Sequence, residues 1–402
     1  MSWEYKTLDQ LGEVSRGRSK HRPRNDPSLF GGEYPFIQTA DVKAANFYIT
    51  EYDTTYNEKG LAQSKLWHPG TLCITIAANI ADTGILAMDA CFPDSVMGFL
   101  PYEGVADVRF VKYCFDILQQ NCKKISQGAA QDNLSWEKLS TILFPAPPIE
   151  VQKRIADMLS AYDDLIENNQ KQIKLLEEAA QRLYKEWFVD LRFPGHETTP
   201  IIDGIPEGWT EKTIVDVCTK IGAGGTPSRS NETYWNPAAI KWFKTGELMD
   251  CWLLDSSEKI SEEGLSHSSA KLFPPNTILM AIYASPTLGR LGILTTEATC
   301  NQAALCLMAN ESIISWQWLY QKLYELRDEF NAVAKGAGQQ NISADVVKKK
   351  TIIVPSKKYI DQYTSITAPM FDSMRILQEQ NAQLQEARDR LLPKLMNGEI
   401  KI

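Results

Sequence analysis

The sequence lacks several features that would assign it to a common structural or functional class. Its 8 cysteines form no CxxC pair and its 4 histidines are scattered, so neither a disulfide framework nor a zinc site is expected. No apolar run reaches the roughly 18 residues of a membrane span. The N-terminus has no basic segment followed by an apolar core. These absences favour a cytoplasmic protein with reduced thiols and no membrane segment.

Catalytic motifs are also missing. The glycine-rich GAGGTPS at 222–228 lacks the lysine of a phosphate-binding P-loop, and we expect it to be a flexible loop whose glycines adopt positive φ. There is no GxSxG elbow, no HExxH, and no Asn-Pro-Pro-aromatic or Asp-Pro-Pro-Tyr tetrapeptide of the kind that amino-methyltransferases use. We therefore predict no catalytic residue, no metal ligand and no cofactor bound by this chain.

The chain is a tandem repeat. KLWHPGTLCITI at 65–76 matches KLFPPNTILMAI at 271–282. An offset of 208 residues pairs QGAAQDNLS at 127–135 with KGAGQQNIS at 335–343. Alternating apolar stretches predict strands, and other stretches have the spacing of helices. Each copy should therefore be a globular α/β or α+β domain.

A long helix is predicted after each copy. Residues 150–193 contain neither proline nor glycine and keep a 3.5-residue apolar period, which is typical of helices that pack along their length. The second helix spans 361–396, and we expect Pro393 to interrupt its last turns. The predicted seam consists of Ile155, Leu159, Ile166, Asn169, Ile173, Leu176, Leu183, Ile366, Met370, Leu377, Leu384 and Leu391. Asn169 could fix the register of the pair or could simply reach solvent.

The most economical arrangement pairs the two helices as one antiparallel coiled coil, with the two domains related by a pseudo-twofold axis. Alternatively, each helix packs on its own domain or on another protein. The predicted divisions are domain one at 1–149, the first helix at 150–193, a linker at 194–208, domain two at 209–356, and the last helix with its tail at 357–402.

A basic loop near the N-terminus is the clearest binding signal. The net charge of −8 argues against indiscriminate nucleic-acid binding but not against a local basic face. The segment RGRSKHRPR concentrates five cations, namely Arg16, Arg18, Lys20, Arg22 and Arg24. Such a charge density suits DNA phosphate contacts, and arginine can also bind guanine through two hydrogen bonds. The alternative is a solvated loop without a partner.

The equivalent loop in the second copy carries a different set of side chains. Its candidate DNA contacts are Thr226, Ser228, Arg229, Ser230, Asn231 and Tyr234. Further cationic candidates are Lys244, Lys271 and Arg290. Different side chains at the same place in two copies are expected if the copies read different sequences.

The two GxxQxN turns supply amide candidates. These are Gln131, Asn133, Gln339, Gln340 and Asn341. Asparagine and glutamine suit adenine in the major groove. The alternative is that these side chains cap the segments that follow.

The arrangement resembles the specificity subunit of type I restriction–modification systems. The resemblance covers nearly the whole chain and rests on the duplicated layout and on motifs such as GGTPSRSNETYW, IKWFKTGEL, CNQAAL at 300–305 and RDRLLPKLMNGEI at 388–400. It implies two target recognition domains that each read half of a split, asymmetric sequence in double-stranded DNA, and helices that act as a spacer. Base-contacting residues are not carried over, because recognition domains vary strongly within the family.

The resemblance also implies partners. Two methyltransferase subunits that bind S-adenosylmethionine would dock on the helices, and restriction subunits can join the assembly. The chain itself would be non-catalytic. A competing interpretation, which the acidic balance favours slightly, is a coiled-coil scaffold whose end domains bind proteins.

Overall fold

The computed structural model describes residues 3–76, 82–125, 136–283, 287–336 and 341–400; side chains are described throughout these ranges except at 120–125, 136, 335 and 336. The chain divides into two compact units. The first unit consists of Met1–Asn169 and Gln380–Ile402, and the second consists of Gln170–Glu379. Each unit therefore contains one globular domain and part of each long helix.

The first unit mixes short strands with helices. Its strands are Glu4–Lys6, Gly12–Arg16, Phe30–Pro35, Tyr48–Ile49, Thr55–Tyr56, Leu66–Trp67, Leu72–Thr75, Thr83–Leu86, Ala90–Cys91, Val96–Pro101 and Phe144–Ala146. Its domain helices are Leu8–Leu11, Thr39–Ala44, Glu58–Ala62, Val108–Ile125 and Trp136–Leu139, with a 3₁₀ turn at Pro27–Leu29.

The second unit repeats this composition. Its strands are Ile201–Ile202, Ile205–Pro206, Thr210–Thr213, Cys218–Ala223, Ile240–Phe243, Cys251–Leu253, Glu258–Ile260, Ile278–Ala281, Leu291–Leu294, Thr299–Cys300, Ala304–Ala309 and Thr351–Val354. Its domain helices are Glu262–Ser266, Trp316–Glu325, Arg327–Gly336 and Ala344–Lys348. Its 3₁₀ turns are His196–Thr198, Val215–Val217, Glu232–Tyr234 and Thr245–Glu247.

The two units contain five-stranded sheets of the same topology. In the first sheet the order is Gly12–Arg16, Val96–Pro101, Leu72–Thr75, Thr83–Leu86 and Tyr48–Ile49. In the second sheet the order is Cys218–Ala223, Ala304–Ala309, Ile278–Ala281, Leu291–Leu294 and Cys251–Leu253. In both sheets only the last of these pairs is parallel. The predicted repeat and mixed α/β class are confirmed.

The central strands are apolar on both faces because each sheet has packing partners on both sides. In the first sheet Ile74 packs into a core with Phe110, while its neighbour Cys73 faces the opposite way and packs with Trp67. In the second sheet Met280 joins the core that contains Trp318. Successive residues of a strand point to opposite faces, so an unbroken apolar run is what a doubly covered sheet requires.

Two long helices complete the fold. The central helix is Ile149–Tyr184, which continues as a π-helical turn over Lys185–Val189, and the C-terminal helix is Lys357–Met396. The C-terminal helix runs through Pro393, so the expectation that Pro393 interrupts it is wrong. This proline lies near the helix end, where the helix loses a single backbone donor and the Asn397 N–H still donates to the Pro393 carbonyl at 3.0 Å.

In the first unit the two helices run antiparallel and are joined by polar pairs. The Asn169 side-chain amide donates to Asn381 Oδ1 at 2.9 Å, and further along the pair the Arg388 guanidinium binds the Asp163 carboxylate. Asn169 is only 2% exposed, so its side chain does not reach solvent. The rising numbers on one helix pair with falling numbers on the other, which defines the antiparallel direction. The predicted seam residues Ile155, Leu159 and Ile166 are buried here, and Leu384 and Leu391 are half-buried.

In the second unit aromatic side chains form the contact between the two helices. The Tyr184 and Tyr363 rings meet edge to face with centroids 6.1 Å apart, and the Tyr363 hydroxyl donates to the Ala180 carbonyl. The predicted seam residues that pack here, all partly buried, are Ile173, Leu176, Leu183, Met370 and Leu377. The prediction for Ile366 is wrong, because Ile366 is 42% exposed while its neighbour Thr367 is buried. The Thr367 hydroxyl donates to the Tyr363 carbonyl at 2.9 Å, and this bond allows a polar residue to occupy the buried position.

Candidate nucleic-acid interface

The basic loop of the first unit begins where strand Gly12–Arg16 leaves its sheet. The Gly17 N–H donates to the Val96 carbonyl at 2.8 Å and the Arg18 N–H donates to the Phe92 carbonyl at 2.9 Å. A Cβ atom at Gly17 would lie 2.4 Å from the Phe92 carbonyl oxygen, so only glycine fits at this point. The start of the loop is therefore fixed to the sheet.

Two side chains hold the next part of the loop. The Gln63 side-chain oxygen accepts hydrogen bonds from the backbone N–H of Lys20 at 2.6 Å and of His21 at 3.0 Å. The Ser64 hydroxyl donates to the Arg18 carbonyl at 2.8 Å. Because the backbone is bound on one side, the loop presents its long side chains outward from a rigid support.

The five cations of this loop fall into two groups. Arg16, Arg18 and Lys20 are exposed, and their side chains make no hydrogen bond or ion pair with any described residue. Arg22 instead donates to the backbone carbonyls of Ser19 and His21, and Arg24 pairs with Asp94 at 2.8 Å. The first three cations are thus available to an anionic ligand, whereas the last two are already engaged.

One carboxylate also helps to order this loop. The Asp26 side chain accepts from the Ser28 N–H at 2.9 Å and lies 2.8 Å from the His21 Nε2. The Ser28 hydrogen bonds, followed by the contact with His21, lower the pKa of Asp26 to about 2. Asp26 therefore remains ionised at neutral pH and supports the far end of the loop.

The loop of the second unit leaves its sheet through the same pair of backbone hydrogen bonds. The Gly224 N–H donates to the Ala304 carbonyl at 3.2 Å and the Gly225 N–H donates to the Cys300 carbonyl at 2.9 Å. The two acceptors are the counterparts of Val96 and Phe92 at the repeat offset, so the two loops are structurally equivalent.

The glycines of the second loop serve a different purpose from the one predicted. Neither Gly224 nor Gly225 has positive φ, so that expectation was wrong. A Cβ atom at Gly224 would lie 2.2 Å from the Cys300 carbonyl oxygen, and one at Gly225 would lie 2.4 Å from the Ser269 backbone. These glycines are needed for close backbone approach and not for an unusual turn.

Arg229, the cation of the second loop, makes several contacts within the protein. Its guanidinium lies 3.7 Å from the centroid of the Trp235 ring and 5.1 Å from that of Trp242. It also donates to the Glu258 carboxylate, whose other oxygen binds Lys244 Nζ at 2.7 Å. The Trp235 and Trp242 indoles donate to carbonyls of the same loop. Arg229 therefore lies between one tryptophan of its own loop and one of strand Ile240–Phe243.

The other candidates in this loop are largely engaged within the protein. The Thr226 hydroxyl donates to Gln302, and the Ser228 and Ser230 hydroxyls lie 2.8 Å apart. The Asn231 side chain caps the 3₁₀ turn by accepting from the Thr233 N–H at 3.2 Å. The Tyr234 ring lies parallel to His267, with centroids 6.4 Å apart. The structure thus brings these residues together but uses most of their polar atoms locally.

The remaining candidates are dispersed. Lys271 is exposed with no partner among the described residues, and the Arg290 guanidinium lies 3.3 Å from Met249 Sδ. Gln131, Asn133, Gln339 and Gln340 lie outside the described residues. Asn341 is exposed, and Ser343 caps helix Ala344–Lys348 by accepting from the Val346 N–H at 3.3 Å.

Several residues around the loops escaped sequence analysis. Gln63 and Ser64 bind the first loop from more than 40 positions away, and Glu258 binds Arg229 from a separate strand. The antiparallel pairing of Glu258 with Trp242 places that carboxylate beside the loop. No local motif marks such partners, because they are defined only by how the strands pair.

A cavity of about 270 Å³ lies in the second unit beside strand Cys251–Leu253. Its lining includes Glu177, Asp250, Trp252 and Tyr320. Burial, with smaller contributions from Asp250 and Glu178, raises the pKa of Glu177 to about 7. Asp250 is paired with Arg327. No cluster of three potential metal ligands occurs among the described residues. In the part of the chain that the structure describes, no helix is sufficiently long and apolar to cross a membrane.

The family model for the type I restriction modification DNA specificity domain matches this chain twice, at residues 1–178 and 206–386. The chain belongs to this family. It is 28% identical to the type I restriction enzyme MjaIX specificity subunit of Methanocaldococcus jannaschii over 100% of this chain and 94% of that protein. It is 23% identical to the HindI specificity subunit of Haemophilus influenzae over 97% of this chain and 98% of that protein.

A solved structure has the same fold. The S subunit of a type I restriction-modification system from M. genitalium superposes with a TM-score of 0.59 at 15% identity, covering 98% of this chain and 96% of that one. The two matches of the family model, at 1–178 and 206–386, follow the duplication expected from sequence.

Proposed function

We propose that this chain is the DNA-reading subunit of a type I restriction–modification complex and that its two loops contact a two-part, asymmetric target. One observation carries the proposal. Two sheets of the same topology fix two loops with the same pair of backbone hydrogen bonds, yet the loops present different side chains. Equivalent supports with different contact residues are what two readers of different sequences require.

The chemistry of the loops supports different roles for their cations, with some contacting phosphates and one contacting a base. Arg16, Arg18 and Lys20 supply uncompensated positive charge, which suits phosphates and gives affinity without sequence preference. Arg229 lies over the Trp235 ring and presents a fork of donors, which suits a guanine edge. The proposed DNA contacts are the nineteen residues named above, with these four as the strongest.

The rest of the chain has a supporting role in this proposal. The paired helices would set the unread gap between half-sites, and their outer faces would dock two methyltransferase subunits, with restriction subunits joining them. The domain boundaries are proposed at residues 149, 193, 208 and 356. S-adenosylmethionine and the methyl transfer to adenine would belong to the methyltransferase partner, and the complex would act in the cytoplasm.

Single-molecule sequencing of methylated adenine tests this proposal. The chain is produced with its methyltransferase partner in a host that has no other adenine methylation. We expect one two-part motif with a fixed gap. Exchanging residues 1–149 for those of a relative should change one half of the motif and leave the other half and the gap unchanged. Methylation without a shared motif, or a change in both halves after the exchange, would contradict the proposal.

A further inference from the structure

One carboxylate in the second unit engages two of the proposed DNA-binding cations at once. Glu258 Oε2 accepts from the Arg229 guanidinium, and Glu258 Oε1 lies 2.7 Å from Lys244 Nζ. Those hydrogen bonds, that of Arg229 first, lower the pKa of Glu258, so it is ionised at neutral pH. The charges of the three groups sum to only one positive unit.

The backbone holds Glu258 firmly in this position. Strand Glu258–Ile260 pairs antiparallel with Ile240–Phe243, and Glu258 lies opposite Trp242. The Ser256 hydroxyl connects the two strands, because it accepts from the Trp242 N–H at 3.2 Å and donates to the Glu258 carbonyl at 2.6 Å. Lys244 directly follows the partner strand and so reaches the carboxylate from an element that the sheet fixes, whereas Arg229 reaches it from the loop.

Arg229 keeps an open side despite this pairing. Its side chain is 53% exposed, and its contact with Glu258 runs through Nη1. The guanidinium also lies over the Trp235 ring and near the Trp242 ring, which limits the positions that it can take. A phosphate would have to compete with Glu258 for the charge of this group, whereas a flat base edge with two acceptors can use the donors that remain.

We propose that Glu258 is a specificity-determining residue: it orients Arg229 for a base edge and offsets the attraction of Arg229 and Lys244 for phosphate. This inference rests on the proposed DNA-reading function. The first loop offers the contrast, because Arg16, Arg18 and Lys20 have no such carboxylate. Sequence-independent affinity for DNA would then come mainly from the first unit, and discrimination between DNA sequences would depend more on the second.

The substitution Glu258→Gln tests the inference in the complex with the methyltransferase partner. Kd values are measured by fluorescence anisotropy on the methylated-motif duplex and on a random duplex, at several salt concentrations. We expect Glu258→Gln to bind the random duplex about tenfold more tightly, with a salt slope steeper by about 1 to 2. The ratio between motif and random affinity should fall at least tenfold.

Glu232→Gln is the matched control. Glu232 lies exposed in the loop that carries Arg229, and its side chain has no partner among the described residues. It should change neither affinity by more than about twofold. A second variant, Arg229→Lys, keeps the charge but loses the planar fork, and should relax the motif at one base position without tightening random binding.

The outcomes separate the inference from the proposed function. If Glu258→Gln and Glu232→Gln behave alike while the unmodified complex prefers its motif, the inference is overturned and the DNA-reading function stands. If the unmodified complex shows no preference for any duplex, the proposed function fails first. Circular dichroism confirms that each variant is folded before binding is compared.

Discussion

The two units share a framework and differ in how they use charge. Both have the same sheet order, and both release their loop through equivalent backbone bonds. In the first unit three loop cations are unpaired, whereas in the second Glu258 pairs with both Arg229 and Lys244. The sheet order and the loop attachments depend on strand pairing and are the same in both units. The charged side chains on the loops do not take part in that pairing, so they can differ between the units.

The helix pairs of the two units differ as well. The first unit buries an ionic link between Asp163 and Arg388, to which the Tyr113 hydroxyl adds a hydrogen bond of 2.5 Å, and an Asn169–Asn381 pair. The second unit uses a cluster of aromatic rings around Tyr363. Buried polar pairs specify direction and register, whereas apolar rings mainly supply stability. The first unit therefore has unpaired cations in its loop and polar pairs between its helices, whereas the second has paired cations in its loop and aromatic contacts between its helices.

The largest predicted effect concerns the buried ionic link of the first unit. Asp163→Asn leaves Arg388 facing a neutral group in a largely dry environment, since Asp163 is only 2% exposed. Breaking such a pair should destabilise the helix pair by about 2–4 kcal/mol. Hydrogen exchange measured by mass spectrometry should show faster exchange in peptides around Asp163 and Arg388.

Glu379→Gln in the second unit is a matched control, because it breaks the ion pair between Arg375 and Glu379 on the same helix. The Glu379 side chain is 41% exposed. This exposed pair should be worth less than about 0.5 kcal/mol. If hydrogen exchange around the substituted pair becomes faster by the same factor in both variants, the buried pair of the first unit contributes no more stability than the exposed pair of the second.

The next effect concerns the free cations of the first loop. Replacing Arg16, Arg18 and Lys20 together with alanine removes three unpaired charges. The salt slope for random duplex should fall by about 2 to 3, and affinity should weaken on the order of 100-fold, or about 2.7 kcal/mol. Anisotropy titrations of the methyltransferase complex at several salt concentrations measure both quantities.

Arg22→Ala provides the comparison within the same loop, because the Arg22 guanidinium already donates to two backbone carbonyls. Its effect on the slope should be well below 1. If Arg22→Ala reduces the salt slope by one third of the reduction seen in the triple variant, then free and engaged cations contribute equally to DNA binding and the proposed distinction between them is wrong.

A smaller effect is expected for the asparagine pair. Asn169→Leu leaves the buried Asn381 amide without its partner, which should cost about 1–2 kcal/mol. The double variant Asn169→Leu with Asn381→Leu removes both polar groups, and should be more stable than either single variant. Hydrogen exchange of the helix pair checks this order, and a double variant that is the least stable of the three would refute it.

Periodicity predicted the helices and the repeat, but it could not distinguish every seam position. The spacing of the apolar stripe predicts Ile366 at the seam, yet Thr367 occupies the buried position, where its hydroxyl donates to the Tyr363 carbonyl. The loop position was predictable from the duplication. The partners of the loops, such as Gln63 and Glu258, were not, because strand pairing brings them from distant parts of the sequence.

The smallest effect concerns the carboxylate of Glu177 in the second unit. The pKa of Glu177 is raised to about 7 by burial, so the folded chain binds this proton more tightly than the unfolded chain. The associated stability is complete below the ordinary pKa of about 4.5 and is lost as pH rises through about 7. Glu177→Gln should remove this loss. Because the group is partly exposed, the gain at pH 8 should be only about 1 kcal/mol, with little change at pH 4.5.

Thermal melts at pH 4.5 and pH 8 compare Glu177→Gln with Glu186→Gln, which carries the same change at an exposed position of the same unit. Only the first should narrow the difference in Tm between the two pH values. An equal narrowing in both would show that overall acidity, and not the buried carboxylate, controls the pH response. A difference confined to Glu177→Gln would assign this pH response to the Glu177 carboxylate of the second unit.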